Sequence, residues 1–370
     1  MNSRFRAAAL HNSSIPAFAL SLVACAVVNV ALPASAQSAL QPPSSGLINP
    51  RAIVFNPAAG KVYAVDTNGG AVQIYSDANK QMHRVVVGAG PVSIAVNPAN
   101  GMAYVANSSD GTVSVLDGKS DAVIATVPIG SHPYSITANP STGKVYATHT
   151  FGDQLSVLDG TTNTASEIKT GSSDLIAINA RTGTIYLLGY GGPVKVLDSV
   201  TQKLTERPVG RHAWGLTLND ATGAVYVTRI ENGDIAEIGP DSPNPRVLSA
   251  GAIPCAIAVN PQTNQLYVAN YRDDTVSIIN AATGRKSATV PVGRHPKAIA
   301  FDAGRNRVYV ANTSDGTVTV INATDNRVVA TLPAGKSPYA LAVVPGSSRL
   351  YVANESNDNS STVVDLAGIP

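Results

Sequence analysis

The chain has 370 residues, of which 44% are hydrophobic and 14% are charged, and its formal net charge is +2. Its 31 glycines and 24 prolines place turn residues throughout, which favours many short strands and argues against long helices. Binding of nucleic acid through a basic stripe needs a larger and more clustered excess of Lys and Arg, so nucleic acid is not an expected partner.

An export signal is predicted over residues 1–36. Two arginines precede an apolar stretch, and the stretch ends in small residues up to Ala36, a pattern that signal peptidase accepts. An alternative is a lipid anchor on Cys25, because Leu22 to Cys25 fits the bacterial lipoprotein cleavage box. We favour cleavage after Ala36, since the residues that follow Cys25 stay apolar, and we expect a periplasmic or secreted protein. No later stretch has the roughly 18 apolar residues that a membrane-spanning helix needs.

A repeat of constant length fills the rest of the chain, which we divide into a segment at 37–45 and a repeat region at 46–370. One tyrosine per repeat marks the period. The marks are Tyr63, Tyr104, Tyr146, Tyr186, Tyr226, Tyr267, Tyr309 and Tyr351. Because a fixed period of this size indicates a repeat architecture, the fold is predicted from the unit rather than from the whole length.

Each unit is predicted to contain four strands. In the copy that begins at Pro296, four short apolar or alternating stretches are separated by turns, and one of these turns is an Asp-Gly hairpin at Gly316. Several copies also carry Asn-Pro after the first strand, a pair that enforces a tight reversal. Four antiparallel strands in about 41 residues are typical of a propeller blade, so the fold class is all-β, a β-propeller of four-stranded antiparallel blades.

The strand that carries the tyrosine resembles the YVTN repeat. The clearest copies are Tyr104 to Asn107, Tyr267 to Asn270, Tyr309 to Asn312 and Tyr351 to Asn354. The resemblance is to the family of YVTN-repeat propellers, which includes surface-layer-type and YncE-like exported proteins, and it implies an exported propeller without a shared catalytic motif. Such propellers commonly have seven blades, whereas eight marks predict eight blades here, so seven remains the alternative.

Closure of the ring is expected to involve the N-terminus. The first three strands of the unit occur eight times, but the fourth occurs clearly only seven times before the chain ends. The segment 37–45 is therefore the candidate for the missing strand, because a closed ring leaves no exposed sheet edge.

The links that lead from a fourth strand to the next first strand hold histidine in three alternate repeats, at His132, His212 and His295. If the three imidazoles converged, they could hold a metal ion in the channel. The alternative is that histidine simply suits this turn and bonds to the neighbouring link. No cofactor is predicted, and a channel-bound metal ion stays an open alternative.

Two positions after each of these residues, the repeats carry aromatic and charged side chains that could stack on a planar acidic ligand and pair with it. The candidates for ligand binding at this position are Arg51, Tyr134, Trp214, Lys297 and Tyr339. An ordinary polar rim with aromatic side chains between the blades is the other interpretation. Cys255 holds the same position and is expected to be a small buried hydrophobic residue.

No enzyme motif of the common hydrolases, zinc proteases or nucleotide-binding proteins is found in the sequence. We therefore rank a binding or interaction scaffold above catalysis, with a protein or a small polar or anionic ligand as the partner. Two alternatives remain open: a metal-dependent hydrolase of the lactonase type, and a component of cell-surface adhesion or of a surface layer.

Overall fold

The protein is described by a computed structural model over residues 50–76, 81–242, 244–355 and 362–369. Three sequence predictions lie outside these residues: the signal peptide at 1–36, the lipid anchor on Cys25 and the ring-closing strand at 37–45. The division at residue 46 therefore also remains a prediction.

The described residues contain thirty-one strands, which form eight antiparallel sheets. Blades one and two are β1 (Pro50–Asn56), β2 (Lys61–Asp66), β3 (Ala71–Ser76), β4 (Met82–Val86), β5 (Pro91–Asn97), β6 (Met102–Asn107), β7 (Thr112–Leu116) and β8 (Val123–Pro128). Blades three and four are β9 (Pro133–Ala138), β10 (Lys144–His149), β11 (Gln154–Asp159), β12 (Thr164–Lys169), β13 (Leu175–Asn179), β14 (Thr184–Leu188), β15 (Val194–Asp198) and β16 (Leu204–Arg207). Blades five and six are β17 (Ala213–Asn219), β18 (Ala224–Arg229), β19 (Asp234–Ile238), β20 (Arg246–Ser249), β21 (Pro254–Asn260), β22 (Gln265–Asn270), β23 (Thr275–Asn280) and β24 (Arg285–Pro291). Blades seven and eight are β25 (Pro296–Asp302), β26 (Arg307–Asn312), β27 (Thr317–Asn322), β28 (Arg327–Pro333), β29 (Pro338–Val343), β30 (Arg349–Asn354) and β31 (Thr362–Asp365).

The blades close into a ring. The first strand of each blade contacts the first strand of the next blade, from β1 and β5 round to β25 and β29, and β29 in turn contacts β1. Eight sheets confirm the prediction of eight blades and exclude seven. The eighth blade has three strands within the described residues, so the strand that would complete it is not among them.

The tyrosines that mark the period form the centre of the packing. All eight side chains are buried, with exposed fractions of 0 to 4%. Each lies on the second strand of its blade, between the first and third strands, where a large apolar ring fills the space between neighbouring sheets. The sequence repeat therefore reflects one packing arrangement, in which a buried tyrosine takes the same place in every blade.

The predicted turn chemistry is also present. The side-chain oxygen of Asn97 accepts the Ala99 N–H at 3.0 Å, and that of Asn139 accepts the Ser141 N–H at 2.9 Å. Gly316 has a φ of +66°, as its Asp-Gly hairpin requires. Within the part of the chain that the structure describes, we find no helix long and apolar enough to cross a lipid bilayer.

Candidate functional site

One face of the ring, here called the mouth face, carries two kinds of loop within the described residues: the links that lead into the first strands, and the hairpins between the second and third strands. Backbone hydrogen bonds join them. The Thr150 N–H donates to the His132 carbonyl at 3.0 Å, and the Thr313 N–H donates to the His295 carbonyl at 3.1 Å. Side chains on link and hairpin are therefore held side by side.

The three predicted link histidines share an unusual backbone conformation. His132, His212 and His295 have φ values of +53°, +56° and +55°, in the left-handed region. Ile253 and Ser337, at the same place in their blades, have φ values of +53° and +57°. A side chain in this region costs about 1–2 kcal/mol, which glycine avoids. Strain of this kind is often found at functional sites and motivates a search for function here.

A first cluster, the Trp214 cluster, lies on blades four and five and consists of Tyr190, His212, Trp214 and Glu231. The Tyr190 ring meets the rings of Trp214 and His212 edge-on, with centroids 6.0 and 6.4 Å apart. The Nδ1 atom of His212 lies 2.7 Å from a carboxylate oxygen of Glu231. Tyr190 is 66% exposed, so the cluster offers an open aromatic surface with a charged group at its edge.

Two charged groups on blade four adjoin the Trp214 cluster. The carboxylate of Asp174 accepts the N–H of Tyr190 at 3.1 Å. Burial raises the pKa of Asp174, and the Tyr190 N–H opposes part of that rise. Lys195 donates to the Ser172 carbonyl at 2.8 Å, and desolvation lowers the pKa of its ammonium group while Glu206 opposes that change.

A second cluster, the Lys297 cluster, spans blades six to eight and consists of Tyr271, His295, Lys297, Tyr339 and Glu355. The rings of Tyr271 and His295 stack, with centroids 4.5 Å apart and an angle of 9° between their planes. The Lys297 ammonium group lies 4.2 Å above the centre of the Tyr339 ring and 3.2 Å from a Glu355 carboxylate oxygen. This geometry is that of a cation–π contact.

Cys255 lies between these clusters and is buried. Its thiol donates to the Pro296 carbonyl at 3.2 Å, and Trp214 and Tyr271 pack against the same apolar group of residues. Burial raises the pKa of Tyr271, and the nearby Cys255, Asp274 and Glu355 add to the rise. The cysteine is therefore a buried hydrophobic residue, as expected from the sequence, and it supports both clusters from below.

The structure brings some of the sequence-predicted site residues together and leaves others apart. His212 joins Trp214, and His295, Lys297 and Tyr339 share the second cluster. His132 is exposed and Tyr134 is half-buried, and both lie on blade three, outside the blades that carry the two clusters. The backbone of Arg51 lies in β1, but its side chain is outside the described residues.

Two of the three histidines contact groups on their own part of the ring. His212 faces Glu231, and the Nδ1 atom of His295 lies 2.5 Å from the Ser314 hydroxyl. Across residues 50–76, 81–242, 244–355 and 362–369, no group of three or more His, Cys, Asp and Glu is placed to hold a metal ion. A metal held by the three histidines remains a prediction from the sequence.

Sequence reasoning missed the contribution of the hairpins, namely Tyr190, Glu231, Tyr271 and Glu355. A signal was present, because the residues just after the second strand are aromatic in some repeats and not in others. The repeats are most alike in their strands, whereas this signal lies in the hairpins, where the copies differ from one another.

The resemblance found in the YVTN motifs is supported by a comparison with protein families. Residues 243–365, which run from the last strand of blade five to the third strand of blade eight, match a family described as YNCE-like beta-propeller. No curated protein matches this sequence significantly.

Solved structures with the same fold have varied roles. Sqt1 of Saccharomyces cerevisiae has 12% identity and a TM-score of 0.73, covering 90% of this chain and 100% of its own. Dihydro-heme d1 dehydrogenase NirN in complex with DHE has 14% identity and a TM-score of 0.69, covering 82% of this chain and 75% of its own. Hydrazine synthase of Kuenenia stuttgartiensis has 18% identity and a TM-score of 0.60, covering 75% of this chain and 96% of its own. At these identities the likeness shows the fold alone.

Proposed function

We propose that this chain, a YncE-like β-propeller, is an exported binding protein that holds a planar ligand with an acidic group on its mouth face. The observation that carries the proposal is the placement of the Trp214 and Lys297 clusters on consecutive blades of one face, with their support residue Cys255 between them.

The two clusters supply complementary parts of a binding site. Tyr190 and Trp214 offer apolar rings that can stack on a flat ligand, and stacked or edge-on aromatic pairs add to the free energy of burial. Lys297 is already paired with Glu355, so the positive charge for an acidic group comes mainly from Arg211 and Lys336, which stand exposed on the links of the same face. Together they favour a ligand that has both a ring system and a carboxylate or phosphate.

Variation among the blades supports the same conclusion. The buried positions are filled alike from copy to copy, because every blade meets the same packing requirement. The link position is not: it holds histidine in three blades, and Ile253 and Ser337 in two others, in spite of the backbone strain. One asymmetric ligand in a symmetric ring calls for such variety.

The ligand panel should include a tetrapyrrole. NirN, a propeller of similar fold, was solved in complex with DHE, and a tetrapyrrole is a planar ring that carries carboxylates. The panel also needs a smaller aromatic acid and an uncharged aromatic compound, so that stacking and charge can be separated.

The experiment uses the sole tryptophan as a reporter. Titration of the wild-type protein with protoporphyrin IX and with smaller aromatic acids should quench Trp214 fluorescence saturably. Calorimetry on the Trp214→Ala/His212→Ala variant should then show binding at least about tenfold weaker, since two ring surfaces of the Trp214 cluster are lost. Phe151→Ala removes a ring that is 92% exposed from a hairpin in blade three and serves as the matched control. Wild-type affinity in the double variant would show that the mouth face is not the site.

Export is the second part of the proposal. It rests on the N-terminal pattern, which predicts a mature protein that begins near Gln37. Intact mass spectrometry of protein recovered from the periplasm of a bacterial host tests it. A lipid-modified N-terminal Cys25 would replace the soluble form with an anchored one.

A further inference from the structure

A second cleft lies away from the mouth face, between blades four and five, and has a volume of about 380 Å³. Its walls come from the turns and outer strands of the two blades, from Asn179 to Arg207 in blade four and from Thr222 to Asp241 in blade five. Its size is in the range that suits a small molecule of one or two rings.

Arg207, in the last strand of blade four, breaks the repeat at this cleft. It pairs with Val194 of the third strand. The residues at the same register position in the other described fourth strands are Val85, Val127, Ile168, Leu248, Val290 and Leu332. Six blades place an apolar side chain here, so the packing between blades does not call for a cation.

Arg207 is half-buried and has no ion-pair partner among the described residues. Its guanidinium group donates to the Glu206 carbonyl at 3.5 Å, and its charge lowers the pKa of Tyr186, which burial raises. In blade five, the next sheet, the arginine of the fourth strand does have an ion-pair partner. There Glu237 faces Arg246, with a 2.6 Å bond from the guanidinium Nε atom to the carboxylate. A half-buried arginine without such a partner is suited to bind an anion that comes from outside the chain.

The other lining residues add charge and hydroxyl groups. Arg181 and Lys203 are exposed cations at the edge of the cleft. Four threonines also line it: Thr182, Thr184, Thr205 and Thr222. Asp198 accepts the N–H groups of Val200 and Thr201 at 2.9 and 2.8 Å, so its carboxylate is held within its own turn. Thr182 donates to Thr184, Thr205 donates to the Val196 carbonyl, and Thr222 accepts the Ala224 N–H. A hydroxyl oxygen has two lone pairs, so these threonines can still accept hydrogen bonds from the hydroxyl groups of a sugar.

We infer that the cleft binds a small hydroxyl-rich anion of the sugar-acid class, with its acidic group on Arg207 and its hydroxyl groups toward the threonines. This site lies on other loops than the mouth-face site and does not depend on the function proposed above. Trp214 fluorescence reports on the mouth face, so the two proposals fail separately.

Calorimetry of the full exported protein with galacturonate, galactose and acetate tests the inference. Galacturonate should bind about tenfold or more tightly than galactose, which lacks the acid, or acetate, which lacks the hydroxyl groups. Arg207→Val should lower galacturonate affinity by about tenfold or more, and Arg207→Lys should keep part of it because the charge remains.

The valine variant also separates ligand binding from folding. Since six blades carry an apolar residue at this position, Arg207→Val should keep or raise the midpoint of thermal unfolding. Arg327→Val, which removes an exposed arginine from the fourth strand of blade seven, is the matched control and should bind galacturonate normally. Three results would overturn the inference: no preference for galacturonate in the wild type, equal affinity in Arg207→Val, or a marked loss of stability in that variant.

Discussion

Asp220 in blade five offers a sharp test of the energetics of this ring. It follows Asn219 in the turn after the first strand, where the clearest repeats have Asn-Pro. Its Oδ1 atom is buried without a hydrogen-bond partner, and burial raises the pKa of the carboxyl group to about 7 in spite of the opposing charge of Arg181. A charged carboxylate at this place is therefore expected to destabilise the folded state.

The sign of the effect follows from proton linkage. Well below pH 4 the carboxyl group is protonated in the folded and unfolded states alike, and it contributes nothing to the pH dependence of stability. As the pH rises toward 7, the unfolded chain loses this proton while the folded protein keeps it, so the free energy of unfolding falls. A pKa raised from 3.8 to about 7 corresponds to about 4 kcal/mol at and above neutral pH. That value is an upper bound, because Asp220 keeps partial contact with solvent.

The assay is urea unfolding of the wild type and Asp220→Asn between pH 4 and 8, followed by fluorescence of Trp214, which lies in the strand that leads into this turn. The advantage of the Asn variant over the wild type in the free energy of unfolding should be smallest at pH 4 and should grow up to pH 7. Asp220→Pro, which restores the common turn, should behave in the same way. Asp325→Asn, an exposed carboxylate in blade seven, should leave the pH profile unchanged. Parallel pH profiles for Asp220→Asn and the wild type would refute the reasoning.

Three further predictions concern stability. Gly316→Ala should lower the free energy of unfolding by about 1–3 kcal/mol more than Gly60→Ala does. Both glycines have a positive φ, but only at Gly316 would the new Cβ meet a link carbonyl, at 2.6 Å, and urea unfolding of the two variants tests this. Arg229→Ala should lower the free energy of unfolding by about 3 kcal/mol, since it leaves the half-buried carboxylate of Asp234 unpaired after the loss of bonds at 2.6 and 2.7 Å. The double variant with Asp234→Ala should recover part of that loss, and equal losses in the two variants would contradict the explanation. Deletion of residues 37–45 from the mature protein should lower the thermal midpoint if they close the ring, whereas an unchanged midpoint would exclude that role.

The fold could be predicted from the sequence because its determinants are local and repeated. The alternating strands, the Asp-Gly and Asn-Pro turns and the eight tyrosines each act within one blade, and repetition makes a weak local pattern strong. The structure then shows the tyrosines buried and the turn asparagines bonded as expected.

The candidate sites were predicted only in part, because they depend on contacts between blades. His212 and Trp214 could be placed on one face from the repeat alone. The meeting of Tyr190 with Trp214 could not, since it depends on how a hairpin of blade four lies beside a link of blade five. Arg207 was missed for a different reason: the fourth strands have a weak hydrophobic pattern, and the register that makes this arginine exceptional appears only when the strands are paired.

The left-handed backbone shared by the links has a consequence for how such a ring can change. Because His132, His212, Ile253, His295 and Ser337 have nearly the same φ, their Cβ atoms leave the chain in nearly the same direction from one blade to the next. The backbone hydrogen bonds between links and hairpins already hold this strained conformation. A new side chain at one link therefore changes the chemistry of the rim without adding backbone strain. Each link position can therefore accept a different side chain without a change in the backbone. A ring built of near-identical blades can acquire a new binding specificity one link at a time, in evolution or by design.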